Sequence, residues 1–285
     1  MKKQQLILLG AGLFILFSLL LFGKTIAKKE APQTTVAGTQ APAPLFDIKN
    51  EILVAKKALT VPQLNYVNQL ENSVSRGAVK NQQILAFDRL AAFWDDSVHR
   101  HDLHNFYTSQ SAKLVNSEKS LTFAAQLMLN DLRNEPDLAK RGWKSEQAIT
   151  LFEQAIQINP ANDSLKVGLG SVYIFGKGMG GNPQETMKGI QQLLQVIRKD
   201  SMNMQAQLVL GIGGVISTQY DKAVERLQKV LDRQPGNLEA ISWLADAYAG
   251  KGDKVNALKW YGISKRLVNN PEYSKEVNER IKMLK

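Results

Sequence analysis

A fixed spacing of 34 residues runs through the C-terminal part of this chain. Leu210 is answered by Leu244, Gly211 by Ala245, Ala223 by Ala257, Leu227 by Tyr261 and Val230 by Ser264. Self-similarity at such a period means one supersecondary unit stacked on copies of itself, because a unit that short cannot bury its own apolar face. One unit earlier the step widens to 41, from Leu169 to Leu210, Gly170 to Gly211 and Pro160 to Ser201. In the second half of each unit, Ala148 to Gly189 is 41 and Gly189 to Ala223 is 34. One unit therefore carries seven extra residues. They fall in Gly176–Pro183 (GKGMGGNP), a turn where insertion costs little.

Inside the units the pattern is helical. Apolar residues recur at three and four, as in Ile84, Phe87, Leu90, Ala91 and Trp94 and again in Ile149, Phe152 and Ile156. No alternating strand pattern occurs from Leu45 onward. Proline marks breaks at Pro62, Pro136, Pro160, Pro183, Pro235 and Pro271. Asn182-Pro183-Gln184-Glu185 supplies an N-cap, a proline at the first helical position and a glutamate at the third. Asp221 and Asp253 each precede a helical stretch. Ahead of the repeats, helices are expected near 46–58, 63–75, 79–97, 101–115 and 118–133.

The strings LKVGLGSVY (165–173), LVLGIGG (208–214) and ISWLADAY (241–248) resemble the first helix of a tetratricopeptide repeat. EQAITLFEQAIQINP (146–160), DKAVERLQKVLDRQP (221–235) and KVNALKWYGISKRLV (254–268) resemble its second helix. The resemblance covers about residues 144–269, with an expanded repeat at 163–203, and departs from the family pattern at Ser201 and Gly214. It implies an all-α fold, a right-handed α-solenoid of helix hairpins whose first helices line a concave, peptide-holding groove. Gly170, Gly211 and Ala245 on first helices, with Ala148, Gly189, Ala223 and Ala257 on second helices, would let the two approach closely. Residues 45–143 read as degenerate hairpins that either extend the solenoid or form a separate bundle packed on it. NPEYSKEVNERIKMLK (270–285) reads as a polar capping helix.

Residues 1–29 read as a membrane anchor. Leu6 to Gly23 is an apolar run of 18 residues, with Lys2 and Lys3 before it and Lys24, Lys28 and Lys29 after it. At ~1.5 Å per residue it spans ~27 Å, enough for one transmembrane helix at about 6–23. Lys-Thr-Ile-Ala-Lys-Lys after Gly23 is a poor cleavage site, which favours an uncleaved anchor. A Pro/Ala/Thr linker follows at 30–44. The expected topology is that of a bacterial inner membrane, with a cytoplasmic N-terminus and a periplasmic body. Cysteine is absent, which excludes a lipoprotein, a Cys-based zinc site, an iron–sulfur cluster and a cysteine nucleophile. The net charge of +10 is concentrated at the two ends rather than in a stripe on the body, so no nucleic-acid partner is expected.

Candidate chemistry is sparse. His99, His101 and His104 lie within six positions, and such a cluster can bind a metal. On one continuous helix only His101 and His104 share a side, so a turn near His99 would be needed to bring all three together. The plain alternative is a polar turn with solvated histidines. GKGMGG lacks the spacing and the Ser or Thr of a phosphate loop and follows a helix. No catalytic set has suggestive spacing, so the chain is read as a non-enzyme without cofactor.

The repeats offer a binding row instead. It runs through Val167, Ser171, Ile174 and Phe175, then Leu208, Ile212, Val215 and Ile216, then Ser242, Asp246, Ala249 and Gly250. The middle helix is apolar on both faces, so both must be covered. The cover is a partner's helix, the chain's own helices from 45–143, or a second copy in a homodimer. The contact residues expected on the open-groove reading are Phe175, Leu208, Ile212, Ile216, Trp243 and Asp246. The function read from this is a membrane-tethered scaffold that binds a protein or peptide client. The alternatives are an assembly factor holding a client chain in the cell envelope, similar to the repeat proteins of cytochrome c maturation, and a structural subunit of a membrane complex.

Overall fold

Most of the described helices begin behind a side chain that caps them. In the computed structural model, which describes residues 46–76, 79–179 and 181–284, Asn162 accepts from the Ser164 amide, Asn203 from Ala206 and Asn237 from Ala240. Asp137, Asn182 and Asp253 cap the helices that follow in the same way. The anchor expected at 1–29, its span at 6–23 and the linker at 30–44 lie outside the described residues.

Thirteen α-helices make up the described residues. They are α1 (Ile48–Lys56), α2 (Val61–Arg76), α3 (Lys80–Ala92), α4 (His101–Val115), α5 (Glu118–Leu132), α6 (Leu138–Ile158), α7 (Asp163–Val172), α8 (Pro183–Lys199), α9 (Met204–Ile216), α10 (Tyr220–Arg233), α11 (Leu238–Lys251), α12 (Lys254–Val268) and α13 (Pro271–Met283). Two of them run on as π-helical turns, α3 through Phe93–Ser97 and α7 through Tyr173–Gly178. One start differs from the sequence expectation. Helix α10 opens at Tyr220 behind Gln219, so Asp221 lies inside its first turn and pairs with Lys251 at 2.6 Å.

The helices pair as hairpins, α5 with α6, α7 with α8, α9 with α10 and α11 with α12, and α13 closes the stack. The large core takes in the α5–α6 hairpin, ahead of residue 144 where the repeat signature first reads in the sequence. One apolar core runs from Ala112 to Val277 through all four hairpins. A smaller core, with Leu90, Trp94 and Leu103 fully buried, holds α1 to α4 together.

Small residues set the depth of the hairpins. A Cβ on Gly170 would sit 2.7 Å from Leu193 and 3.1 Å from the Gly189 carbonyl oxygen. A Cβ on Gly189 would sit 2.7 Å from the Gly170 carbonyl oxygen. The α7 and α8 backbones therefore touch at these two positions. In the next hairpin Gly211 meets Leu227 and Gly214 meets Ala223. The expanded unit absorbs its extra residues partly in the π-helical turn, where Gly176 faces Ser145 and Gly178 faces Thr186.

Charges join the small core to the stack. Arg100 in the α3–α4 turn pairs with Glu51 of α1 and with Asp102 at 3.0 Å, and Lys140 of α6 reaches Asp102 at 3.0 Å. Phe46 and Phe106 both pack on Trp143, at 5.1 and 6.2 Å between ring centroids. Burial pushes the Asp102 carboxyl up, but the bonds and charges of Arg100 and Lys140 outweigh it and hold it at about 2. At the α5–α6 turn, buried Lys144 sits between Asp131 and Glu135, 2.6 Å from each.

The packing and the buried charge can each be tested by substitution. Gly189→Ala forces a methyl onto backbone that cannot yield, so urea unfolding should show a loss of about 1–3 kcal/mol. Gly142→Ala, in α6 with open space around it, should gain roughly 0.5–1 kcal/mol by helix propensity. Asp102 carries a depressed carboxyl, so its contribution is present above the ordinary value of 3.8 and is lost as pH falls toward about 2. Asp102→Asn should be less stable than the parent at neutral pH, with the gap closing across that window. Melts at stepped pH check this, and a gap that stays constant refutes it.

Candidate functional site

The first helices of the hairpins, α5, α7, α9 and α11, share one face of the stack. Two cavities open on it. The larger, about 400 Å³, lies between α5, α7 and the start of α9. Its polar lining comes from Gln126, Asn130, Arg133, Ser164, Ser171, Asn203 and Gln205, and Leu129, Val167 and Gly168 form its floor. Gln126 donates to the Asn130 carbonyl at 2.9 Å, which leaves the Asn130 NH₂ group and the Gln126 carbonyl oxygen for a ligand. Ser171 spends its proton on the Val167 carbonyl at 2.8 Å and keeps an acceptor.

The second cavity, about 310 Å³, is lined by Asn130, Arg133, Asn134, Phe175, Met179, Glu239 and Trp243. Asn130 and Arg133 belong to both. The Arg133 guanidinium lies 4.1 Å from the Phe175 ring centroid and bonds Glu239 at 2.8 Å. This crossbar links the C-terminal end of α5 to the first turn of α11, across the two intervening hairpins. Arg133 and Glu239 are the charged groups of the two linings, and each neutralises the other.

The structure divides the residues expected from the sequence. Phe175 and Trp243 come together on the second cavity. Leu208 and Ile212 are buried in the stack, Ile216 is half-buried against the same core, and none of the three lines either cavity. Asp246 accepts from Arg280 of α13 at 2.7 and 2.8 Å and from the Tyr261 hydroxyl at 2.5 Å. Burial and that carboxylate raise the Tyr261 hydroxyl above its ordinary value, so it remains a donor. The chain itself therefore occupies Asp246. Arg133, Asn130 and Glu239 were missed because no period relates them.

The histidines do turn at His99, whose φ is +56°, but they do not converge. His101 pairs with Asp95 at 2.7 Å and His104 with the Ala91 carbonyl at 3.1 Å. Among the described residues no group of three His, Cys, Asp or Glu is placed to hold a metal. Lys177 of GKGMGG pairs with Glu146, and Lys188 nearby pairs with Glu185 at 2.7 Å, which leaves no net positive charge for a phosphate.

A stack of helix hairpins with an open inner face defines the class, an all-α repeat scaffold. Residues 216–275 match the tetratricopeptide repeat family model, so this stretch of the chain is similar to tetratricopeptide repeats. A comparison with curated protein sequences gave no match. Among solved structures, the thermophilic TPR protein TTC0263 of Thermus thermophilus is 15% identical, with a TM-score of 0.51 over 70% of this chain and 98% of that one. MamA (41-end) from Desulfovibrio magneticus RS-1 is 15% identical, with a TM-score of 0.47 over 65% and 95%. YrrB, a TPR protein with an unusual peptide-binding site, is 13% identical, with a TM-score of 0.44 over 74% and 97%. At these identities the likeness concerns the fold alone.

Burial separates core from site in one experiment. Ile212→Glu places a carboxylate where no water reaches, so it should cost several kcal/mol and lower the melting temperature sharply. Asn130→Ala, on the cavity wall, should melt like the parent. Thermal melts of both, followed by circular dichroism, decide, and an Ile212→Glu protein of parental stability would overturn the assignment of Ile212 to the core.

Proposed function

We propose that this protein is a non-enzymatic scaffold, tethered to a membrane through residues 6–23, that holds an extended segment of a partner protein on the α5–α7–α9–α11 face. The observation that carries the binding mode is the lining of the larger cavity. Carboxamides and hydroxyls on three successive first helices pair with peptide N–H and C=O groups whatever the side chains of the segment. That is main-chain recognition, suited to an unfolded or extended client. The second cavity adds Phe175, Met179 and Trp243 for an apolar side chain of the segment. The paired charges of Arg133 and Glu239 give no preference for a strongly charged one. Among the alternatives read from the sequence, a holder of client chains fits this lining better than a permanent structural subunit, which would present a larger dry surface.

Among the described residues no helix is long and apolar enough to cross a membrane, so the tether rests on the sequence of residues 6–23. A tether concentrates the binding face near clients at the same membrane. We place the body on the periplasmic side of a bacterial-type inner membrane.

Replacing both Asn130 and Gln205 by alanine removes two main-chain partners at about 0.5–1.5 kcal/mol each. Binding to an array of short, uncharged, extended peptides should weaken by about tenfold or more, with parental melting. Equal binding by the double variant would sink the groove reading. A phosphatase fused after Lys285 should be active, and an inactive fusion beside a fluorescent cytoplasmic one would reverse the topology.

A further inference from the structure

Helix α1 is spent on one side and idle on the other. Inward, Ala55 is buried, and Ile48 and Ile52 pack on the small core. Glu51 is taken by Arg100, and Lys56 by Glu71 at 2.5 Å. Asp47 is committed to the helix N-terminus, where it accepts from the Lys49 amide at 2.9 Å. Outward, Leu53 is 60% exposed and Val54 is 51% exposed, with exposed Lys49 and Lys57 beside them. At about 100° per residue these four fall within one arc of roughly 140°. Val61, at the start of α2, is a further exposed apolar side chain, 72% exposed. This is the composition of a helix that lies in a bilayer interface, with apolar side chains among uncompensated lysines.

We propose that the outward face of α1 rests on the surface of the membrane that holds the tether, with Leu53 and Val54 in the headgroup–acyl boundary and Lys49 and Lys57 on anionic headgroups. The proposal rests on the tether proposed above. Sequence distance supplies the occupant. The apolar run ends at Gly23 and α1 begins at Ile48, so α1 is the first described helix after it. Only 24 residues separate the two in sequence, so a tether at residues 6–23 would hold α1 close to the bilayer. At such a separation the effective concentration is of millimolar order, and a contact of few residues becomes populated. The charge matches, since the cytoplasmic and periplasmic leaflets that carry anionic lipid attract lysines at the surface. The consequence is orientation: the end of the stack at α1 would face the bilayer and α12 would lie at the other end.

The absence of cysteine makes the test clean. The full-length chain carrying Leu53→Cys, labelled with a bimane, is placed in phosphatidylcholine nanodiscs with and without phosphatidylglycerol, some containing nitroxide-labelled acyl chains. Val255→Cys, at an exposed site on α12, is the control. Quenching at position 53 should exceed that at 255 by about twofold or more, because an interfacial helix buries its apolar face about 5–10 Å deep. Lys49→Glu with Lys57→Glu should lower the quenching at 53 and remove its rise with phosphatidylglycerol. Equal quenching at 53 and 255, with the protein eluting on the discs, would overturn the interfacial helix and leave the tether standing. A protein that elutes apart from the discs would remove the tether and this inference together.

Discussion

Gly170 and Gly189 let two helix backbones touch, and the geometry of the stack follows from that contact. Where a Cβ on one glycine would meet the carbonyl oxygen of the other, α7 and α8 lie as near as helices can. A near approach within the hairpin lets Leu193 and Ile174 reach across and fill the next layer, and both are fully buried. Ile174 in turn meets α9, where a Cβ on Gly213 would lie 2.8 Å from its side chain. The next hairpin repeats the arrangement with Gly211 against Leu227 and Gly214 against Ala223. Each small residue thus fixes the depth of its own hairpin and the shape of the slot for its neighbour. Dispersion over such a surface is short-ranged, so an added methyl at a backbone contact is not absorbed locally.

The irregular unit is the one that builds the site. Were all units alike, α7 would stop where α9 stops, and Phe175 would sit where Ile216 does. The extra residues instead prolong α7 as a π-helical turn, a form found often at functional positions. The turn brings Phe175 under Arg133 and puts Met179 on the cavity wall. Arg133 then reaches Glu239 and divides the inner face into a cavity rich in carboxamides and one rich in aromatic and sulfur side chains. A pair that is about one-third exposed on each partner adds little stability. Its effect lies in occupancy: it keeps two charges satisfied on a face that otherwise offers neutral hydrogen-bonding groups.

What could be read in the sequence was what repeats. Gly211 and Ala245, and likewise Gly189, Ala223 and Ala257, stand 34 residues apart, Gly170 stands 41 before Gly211, and their spacing alone locates the hairpin contacts. Helix α5 was expected as a helix at 118–133, but its place in the repeat was not legible, because the step from its cap, Ser117, to the next first-helix cap, Asn162, is longer than either later step, so the register is lost. The doubly apolar α9 was legible as a helix buried on both sides, whereas the sequence held no sign of what buries it. Its own stack does, with Ile212 fully enclosed. Asn130, Arg133 and Glu239 are single residues on different helices. Only the fold brings them together, and no one-dimensional pattern records that.

The polar end of the row has a physical reason of its own. Ser242 and Asp246 stand where the previous repeat has Leu208 and Ile212. In the interior of the stack the neighbour of such a row is another apolar first helix. At the end the neighbour is α13, which is polar on its outer face because it meets water. That helix brings Tyr273 to Ser242 at 2.7 Å and Arg280 to Asp246. A carboxylate in this slot is stable because a guanidinium and the Tyr261 hydroxyl come with the cap. An isoleucine there would leave Arg280 half-buried without its Asp246 partner, which is costly. The change from Leu and Ile to Ser and Asp is therefore the signature of termination rather than of a partner. It confines the proposed binding face to the stretch from Gln126 on α5 to Trp243 on α11.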